Sequence, residues 1–220
     1  MFDDNYKTAR FNMVEQQVRP WDVIDQRVLK IMQELPREQF VSDEYKGLAY
    51  ADIAVPMDNG EHMLKPTLVG RLLQALAIKP TDSILEIGTG TGYITACLAK
   101  LGAKVNSVEI DENLLSQAGD NLAKLGISNV MLTSGDAMTF TPQGAPFDVI
   151  AVTGALADCQ DILPKMLKTG GRLFFISGEP PVMQAMLIER VSDDAFHQEI
   201  IFETEIETLQ NIQQKPAFTF

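Results

Sequence analysis

The chain has 220 residues, of which 45% are hydrophobic and 22% are charged, and its formal net charge at pH 7 is −12. This size and composition predict one soluble globular domain and exclude a collagen-like, repetitive or disordered protein. The acidity argues against a nucleic-acid partner, because phosphates would be repelled and the 18 Lys and Arg residues form no basic run.

The cysteines and the apolar runs predict the cellular compartment of the protein. Cys97 and Cys159 cannot form a disulfide framework and suit a reducing compartment, so we interpret both as small buried hydrophobic residues. Asp3 and Asp4 stand where a signal peptide would be positively charged. Apolar runs such as residues 173–176 are too short to span a bilayer. We therefore expect a cytoplasmic protein that does not bind membranes.

Residues 1–79 predict an N-terminal block of helices and loops. Helical spacing of apolar residues covers residues 12–17, 25–35 and 67–78. Asp25 is a suitable N-cap for the second of these helices. Between the second and third helices, several prolines and glycines predict loops with short helical pieces.

Residues 80–220 predict an α/β region. Strands are expected at residues 83–87, 104–109, 130–134, 147–153 and 172–177. Helices are expected between them at residues 93–101, 112–125 and 161–167, the last one closed by Gly170-Gly171. Residues 186–191 and 199–209 read as a hairpin that adds antiparallel strands. The pattern predicts a doubly wound, mostly parallel seven-stranded sheet, with the N-terminal block packed on it in one structural domain.

The most informative segment is the glycine-rich turn after the first of these strands. Gly88, Gly90 and Gly92 leave a buried strand and enter a helix, where open parallel sheets bind ligands. Glu109 ends the second strand and could accept hydrogen bonds from both hydroxyls of a ribose. Asp136 follows the third strand and could accept from the amine of an adenine. The three strand ends together predict a site for an adenine nucleoside.

The spacing of the glycines favours S-adenosylmethionine (SAM) over NAD. A dinucleotide turn has glycine at its first, third and sixth positions, but here Tyr93 occupies the sixth. An NAD site remains the less favoured alternative. For SAM, the expected contacts come from nine residues near the three strand ends: Glu86, Gly88, Thr89, Gly90, Gly92, Glu109, Ile110, Asp136 and Ala137.

A family resemblance extends over most of the chain, from Met13 to about Val191. The matching segments are residues 13–20, 27–29, 36–37, 40–41, 49–52, 85–93, 107–109, 135–136, 146–148, 152–153 and 167–173. With these segments the chain resembles the protein-L-isoaspartate O-methyltransferase family, which belongs to the class I SAM methyltransferases with a Rossmann-like fold. The N-terminal matches are specific to that family, whereas the glycine turn is shared by SAM enzymes in general.

The resemblance implies a chemistry and a substrate. Members of the family methylate the side-chain carboxylate of isoaspartyl residues in aged peptides and proteins. The methyl ester then collapses to a succinimide, from which normal aspartate can form. A carboxylate is already ionised at neutral pH, so such a reaction requires no general base and no metal. The resemblance places His62, Leu64 and Thr153 at the acceptor side of the site.

One segment departs from the family pattern. Between Gly60 and Pro66 the family usually carries Gln-Thr-Ile-Ser-Gln, whose hydroxyls contact the substrate carboxylate, whereas this chain has Glu-His-Met-Leu-Lys. Leu64 replaces the serine and cannot donate a hydrogen bond. Glu61 would repel an acceptor carboxylate, and His62 could orient one, act as a base or have no role.

This departure leaves three hypotheses open. The chain could be an isoaspartyl carboxyl methyltransferase, a SAM-dependent methyltransferase with a different acceptor, or a SAM-binding protein without catalysis. The oligomeric state is open as well, because a homodimer and a monomer both fit the sequence.

Overall fold

The structure is a computed structural model that describes residues 2–137, 139, 143–157 and 162–211. Its N-terminal block contains helices α1 (Phe2–Met13), α2 (Gln26–Glu34) and α3 (Pro66–Leu76). A π-helical turn (Val14–Val18) and a 3₁₀ turn (Arg19–Trp21) extend α1, and further 3₁₀ turns lie at Arg37–Gln39 and Asp43–Leu48. Two short strands, β1 (Val55–Pro56) and β2 (His62–Met63), pair antiparallel.

The block agrees with its sequence pattern, with two differences. The Asp25 side chain accepts a hydrogen bond from the backbone N–H of Arg27 at 2.8 Å and caps α2, as predicted. The first helix is longer than the predicted residues 12–17, because it begins at Phe2. The β1–β2 pair was not predicted, since strands of two residues show no alternation.

A seven-stranded sheet forms the centre of the molecule. Its strands are β3 (Ser83–Ile87), β4 (Lys104–Glu109), β5 (Val130–Ser134), β6 (Phe147–Leu156), β7 (Leu167–Glu179), β8 (Val182–Arg190) and β9 (Phe196–Thr204). They lie in the order β5-β4-β3-β6-β7-β8-β9; β3 to β7 are parallel, β8 is antiparallel to β7, and β9 is antiparallel to β8. Helices α4 (Tyr93–Leu101), α5 (Glu112–Lys124) and α6 (Ile162–Lys165) connect the parallel strands. The predicted doubly wound, mostly parallel sheet is confirmed.

The predicted elements around β7 are partly wrong. Helix α6 ends at Lys165, and β7 begins at Leu167, which pairs with Phe147 of β6. Gly170-Gly171 therefore does not close a helix. Phe147 of β6 pairs with Leu167 of β7, and the next pair is Val149 with Arg172, so β7 contains extra residues between the two pairs. The two glycines lie among these residues, in a bulge of β7.

Apolar residues on the two faces of the sheet belong to two separate cores. On β6, Val149 and Ala151 join one buried cluster, whereas Ile150 and Val152 join the other, as the alternation of a strand requires. The first cluster also contains buried residues of the N-terminal block, including Met32 and Leu72. The block therefore covers one face of the sheet and shares its core.

The chain leaves the sheet earlier than predicted at its C-terminal side. The strand expected at residues 199–209 is observed as β9, and residues 205–211 form what we call the crossing segment, which passes over the carboxyl ends of the strands. The backbone N–H of Ala155 donates to Glu207 O at 2.8 Å, and the N–H of Leu209 donates to Ala155 O at 2.9 Å. Strand β6 extends beyond the end of its neighbour β3, so these backbone groups of Ala155 are available to the crossing segment.

Two further predictions concern single residues and membrane spans. Cys97 is a fully buried free thiol, as predicted, while Cys159 and the terminal residues 212–220 lie outside the described residues. Within the described ranges, no helix combines the length and apolar character that a membrane span requires.

Gly154 allows the crossing segment to lie against β6. A Cβ atom at this position would lie 2.6 Å from Cδ2 of Leu209, so the Gly154→Ala substitution should displace the segment while the sheet remains folded. We expect a Glu-specific protease to cleave after Glu205 or Glu207 faster in this variant. The cleavage rate should rise about tenfold for each 1.4 kcal/mol by which the substitution lowers the free energy of undocking the crossing segment.

The matched control for this experiment is Gly47→Ala, because a Cβ at Gly47 meets no atom within 4 Å. Cleavage would be followed by mass spectrometry of the fragments. Equal cleavage rates in wild type and Gly154→Ala would show that the packing of Leu209 does not hold the crossing segment in place.

Candidate active site

The glycine turn lies at the switch point of the sheet, where β3 is flanked by β4 and β6. Gly88, Gly90 and Gly92 have φ angles of +91°, +54° and +91°, which disfavour other residues. A Cβ at Gly88 would lie 2.4 Å from Oγ1 of Thr153, and one at Gly92 would lie 3.1 Å from Cβ of Ala118. Glycine is therefore required here both by conformation and by close packing.

Glu109 fixes the turn from the neighbouring strand. One of its carboxylate oxygens accepts from the backbone N–H of Gly90 at 2.8 Å, and the other accepts from Ile110 at 2.9 Å and Asp111 at 3.0 Å. The side chain is nearly buried at the end of β4. Each carboxylate oxygen has two lone pairs, so acceptor capacity remains for a ligand.

Two adjoining clefts open beside the turn. The larger one, of about 760 Å³ counted out to open solvent, is lined by the predicted cofactor residues Gly88, Thr89, Gly90, Glu109 and Ile110. The smaller one, of about 340 Å³, is lined by Gly88, Glu109, Ile110, Asp136 and Ala137. Leu209 and Gln210 of the crossing segment border both clefts.

The two remaining predicted cofactor residues, Glu86 and Gly92, line neither cleft. Gly92 is the N-cap of α4. Glu86 is fully buried beneath the turn, where its Oε2 accepts from Oγ1 of Thr95 at 2.5 Å and from Oγ of Ser107 at 2.6 Å. The expectation that these two residues touch the cofactor is therefore not supported by their positions; they shape the turn from below.

Burial raises the pKa of Glu86 to about 8, although the hydrogen bonds from Ser107 and Thr95 act in the opposite direction. Between pH 4.5 and about 8 the folded protein keeps a proton on Glu86 that the unfolded chain releases. This carboxyl group therefore lowers the stability progressively as the pH rises through that window, and its full cost is reached above pH 8.

We predict that Glu86→Gln gains stability relative to wild type as the pH increases. The difference in Tm between the variant and wild type should grow from pH 5 to pH 8.5. In a chain of this size it should grow by roughly 2–4 °C for each kcal/mol of change in the free energy of unfolding. Thermal unfolding followed by circular dichroism at both pH values measures it. A difference that does not change with pH would contradict the raised pKa.

The three predicted acceptor residues all line the larger cleft. Oγ1 of Thr153 donates to the backbone oxygens of Gly88 or Ile87, at 2.6 and 3.0 Å, so it holds the turn. Leu64 is partly buried and packs on the first core cluster. Nδ1 of His62 lies 2.6 Å from Oε1 of Glu207, and its backbone N–H donates to Oε2 of the same residue at 2.9 Å.

The mouth of the larger cleft is thus narrowed by contacts between side chains from distant parts of the sequence. Besides the His62–Glu207 contact, Nε2 of Gln210 donates to Oε1 of Glu61 at 2.9 Å. Near the smaller cleft, Nδ2 of Asn211 donates to Oδ2 of Asp136 at 3.3 Å. Sequence reasoning missed the crossing segment as a wall of the site, because the partners of its side chains are separated from it by 75 to 149 positions.

Sequence reasoning also missed Arg37, Thr91 and Tyr93 as residues of the larger cleft. Burial lowers the pKa of the Arg37 guanidinium and raises that of the Tyr93 phenol well above its usual value, so Tyr93 stays neutral. The Cys97 thiol, whose pKa burial raises to about 12, is inert at neutral pH. The only signal for a role was that all three residues lie in family-like segments, Arg37 in residues 36–37 and the other two in residues 85–93.

The arrangement fits an adenine nucleoside that carries a charged tail. A Cβ at Gly135 would meet nothing within 4 Å, and one at Gly90 would lie 3.4 Å from Sδ of Met57, so glycine keeps both cleft walls open. Asp136 with Ala137 can hold an adenine, Glu109 a ribose, and the larger cleft the tail. In the described ranges, no three His, Cys, Asp or Glu side chains cluster as a metal site.

Comparison with known proteins gives the family. The family model for protein-L-isoaspartate(D-aspartate) O-methyltransferase matches residues 9–210. The chain belongs to this family. It is 39% identical over 181 residues to the protein-L-isoaspartate O-methyltransferase of Koribacter versatilis, covering 82% of this chain and 81% of that protein. It is 34% identical over 199 residues to protein-L-isoaspartate O-methyltransferase 1 of Geotalea uraniireducens, covering 90% and 91%.

Solved structures of the family share the fold. A protein-L-isoaspartate O-methyltransferase superposes with a TM-score of 0.79 at 27% identity, and the match covers 90% of this chain and 65% of that one. A candidate protein-L-isoaspartate O-methyltransferase from Plasmodium falciparum, solved in complex with S-adenosyl-L-homocysteine, gives a TM-score of 0.80 at 19% identity and covers 91% and 98%. The second likeness concerns the fold alone.

Replacing Glu109 tests the cofactor site. We expect Glu109→Ala to fold but to bind SAM about 10- to 100-fold more weakly, because charge-assisted hydrogen bonds are lost and the turn loses its anchor at Gly90. Isothermal titration calorimetry measures the affinity. Glu112→Ala, an exposed carboxylate on the following helix, is the control and should bind normally. Unchanged affinity in folded Glu109→Ala would remove Glu109 from the site.

Proposed function

We propose that this protein is a SAM-dependent carboxyl methyltransferase that esterifies isoaspartyl residues in peptides and proteins. The observation that carries the proposal is the family match over residues 9–210, which includes both clefts. The relatives in Koribacter versatilis and Geotalea uraniireducens carry the same activity in their names. The substrate would be a protein chain rather than a nucleic acid, in keeping with the net charge of −12.

The residues divide the task between the two clefts. Asp136 and Ala137 of the smaller cleft would hold the adenine of SAM, and Glu109, which lines both clefts, would hold its ribose. The glycine turn would then direct the methionine part of SAM into the larger cleft. When bound, SAM supplies a methyl group that its sulfonium activates for transfer.

The reaction itself requires positioning and exclusion of water. The acceptor carboxylate is ionised at neutral pH, so its oxygen can form the new bond to the methyl carbon while the electron pair of the broken bond goes to sulfur. No proton moves, which agrees with a cleft where Thr153 is turned towards the backbone. The crossing segment and residues 61–64 narrow the mouth of the larger cleft and so exclude water. Aligning the acceptor oxygen with the methyl group is the main contribution of the protein to catalysis.

The acceptor end differs from the family pattern in the residues that line it. Leu64 fills the wall where a serine is usual, and His62 is engaged by Glu207. The side chains of His62 and Glu207 remain 38% and 49% exposed, so both are within reach of an acceptor peptide. Glu61 and Glu207 place negative charge at the mouth, which weakens binding of a carboxylate relative to a neutral mouth.

The decisive experiment is transfer from methyl-labelled SAM to an isoaspartyl peptide, with its aspartyl twin as the control. Base-labile methanol reports the carboxyl ester. We expect turnover on the isoaspartyl peptide alone. If SAM binding is confirmed by calorimetry and neither peptide is methylated, the proposed acceptor is wrong.

Restoring the hydroxyls of the family should raise this activity. We expect the double variant His62→Thr, Leu64→Ser to increase kcat/KM for the isoaspartyl peptide about tenfold, since a hydrogen bond to a charged group contributes about 1.5–3 kcal/mol. Glu61 and Lys65 stay unchanged. The matched control Leu48→Ser replaces an exposed leucine outside both clefts. No gain in a folded, SAM-binding double variant would show that these hydroxyls do not limit the reaction.

A cytoplasmic location is a further prediction from the sequence, which fits a homodimer and a monomer equally. The buried free thiol of Cys97 suits a reducing compartment and supports this location. Sedimentation velocity of the purified protein would determine the oligomeric state.

A further inference from the structure

The wall of the larger cleft contains a buried arginine whose hydrogen bonds go to neutral carbonyls. Arg37 is 0% exposed and lines the cleft beside Leu64. Its Nε donates to Ala49 O at 2.9 Å and its Nη2 to Leu64 O at 3.0 Å, both neutral carbonyls. In the described part of the chain no carboxylate forms an ion pair with it. A buried cation is normally paired, so this charge requires an explanation.

Two hydroxyl groups in the same wall also lack a nitrogen or oxygen partner among the described residues, although the Tyr93 hydroxyl interacts with the Cys97 thiol. The Arg37 guanidinium carbon lies 4.8 Å from the ring centroid of Tyr93, and Thr91 lies two residues before Tyr93 in the glycine turn. Nη1 of Arg37, Oη of Tyr93 and Oγ1 of Thr91 have no hydrogen-bond partner among the described residues. The three residues are 0%, 1% and 5% exposed, and all of them line the larger cleft.

The chemistry of these three groups selects one class of ligand. A guanidinium only donates hydrogen bonds, and each hydroxyl can donate one. A cation with two neutral donors in a low-dielectric wall matches an anion with several acceptor oxygens. The other charged groups at the cleft do not serve this purpose, since Glu61 and Glu207 are acidic and His62 is engaged by Glu207.

We propose that Arg37, with Tyr93 and Thr91, forms a carboxylate subsite in the wall of the larger cleft. The subsite rests on the proposed function, in which two carboxylates enter this cleft: that of the methionine end of SAM and that of the acceptor. It supplies a positive charge beside Leu64 and hydroxyl donors from the glycine turn and the start of α4, whereas residues 61–65 carry neither of the hydroxyls usual in the family. Arg37 acts as the counter-ion of the bound carboxylate.

The test compares ligands with and without a carboxylate. Binding of S-adenosylhomocysteine and of 5′-methylthioadenosine, which lacks the amino-acid end, is measured by calorimetry in wild type and Arg37→Gln. Binding of an unlabelled isoaspartyl peptide in the presence of S-adenosylhomocysteine is measured in the same way. The matched control is Arg71→Gln, because Arg71 also lies 4.8 Å from an aromatic ring, that of Phe202, but lines neither cleft.

The expected result is selective loss. If the subsite binds the methionine carboxylate, Arg37→Gln weakens S-adenosylhomocysteine at least tenfold and leaves methylthioadenosine unchanged. If it binds the acceptor, both nucleosides keep their affinity and the peptide binds at least tenfold more weakly. Equal loss for both nucleosides, as general loosening would produce, overturns the proposal. So does unchanged binding of all three ligands.

A second variant keeps the test decisive if Arg37→Gln does not fold. Tyr93→Phe keeps the ring under the guanidinium and removes only the hydroxyl, so it should weaken the same ligand by about threefold or more, and no selective change would then overturn the proposal. The nucleoside measurements do not depend on turnover. Wild type that methylates no isoaspartyl peptide would refute the proposed function, and the difference between the two nucleosides would still judge the subsite.

Discussion

The glycine turn after β3 is held from both neighbouring strands, and the rest of the site depends on this double attachment. From β4, Glu109 accepts hydrogen bonds from the turn and from the start of the following loop. From β6, Thr153 donates to the backbone at the end of β3. Both attachments exist because β3 lies at the switch point of the sheet, where successive connections leave in opposite directions. The position of a ligand is therefore set by strand order rather than by a mobile loop.

The cofactor half of the site could be predicted from sequence because its signals are local. The glycines, Glu109 and Asp136 each follow a strand whose apolar pattern is clear, and parallel strands bring their carboxyl ends together. The same reasoning failed for Glu86, since the pattern does not tell whether a strand residue faces the ligand or the space beneath the turn. In the structure it faces Thr95 and Ser107.

The acceptor half could not be predicted in the same way, because it is assembled from long-range contacts. His62 meets Glu207, and Arg37 reaches the carbonyl of Leu64 from a 3₁₀ turn that carries no motif. The early departure of residues 205–211 from the sheet has the same origin. It depends on β6 extending beyond β3, which is a property of the pairing register and leaves no trace in the residues of the segment itself.

The shared wall formed by Leu209 and Gln210 has a consequence for how ligands and the chain's own stability are linked. These residues border both clefts, so a ligand that contacts them binds more tightly to the state in which residues 205–211 are docked. Each ligand then stabilises the docked state by mass action, so cofactor and acceptor reinforce each other through this segment in addition to their direct contact. Protection of backbone amides in this short segment therefore reports occupancy of the whole site.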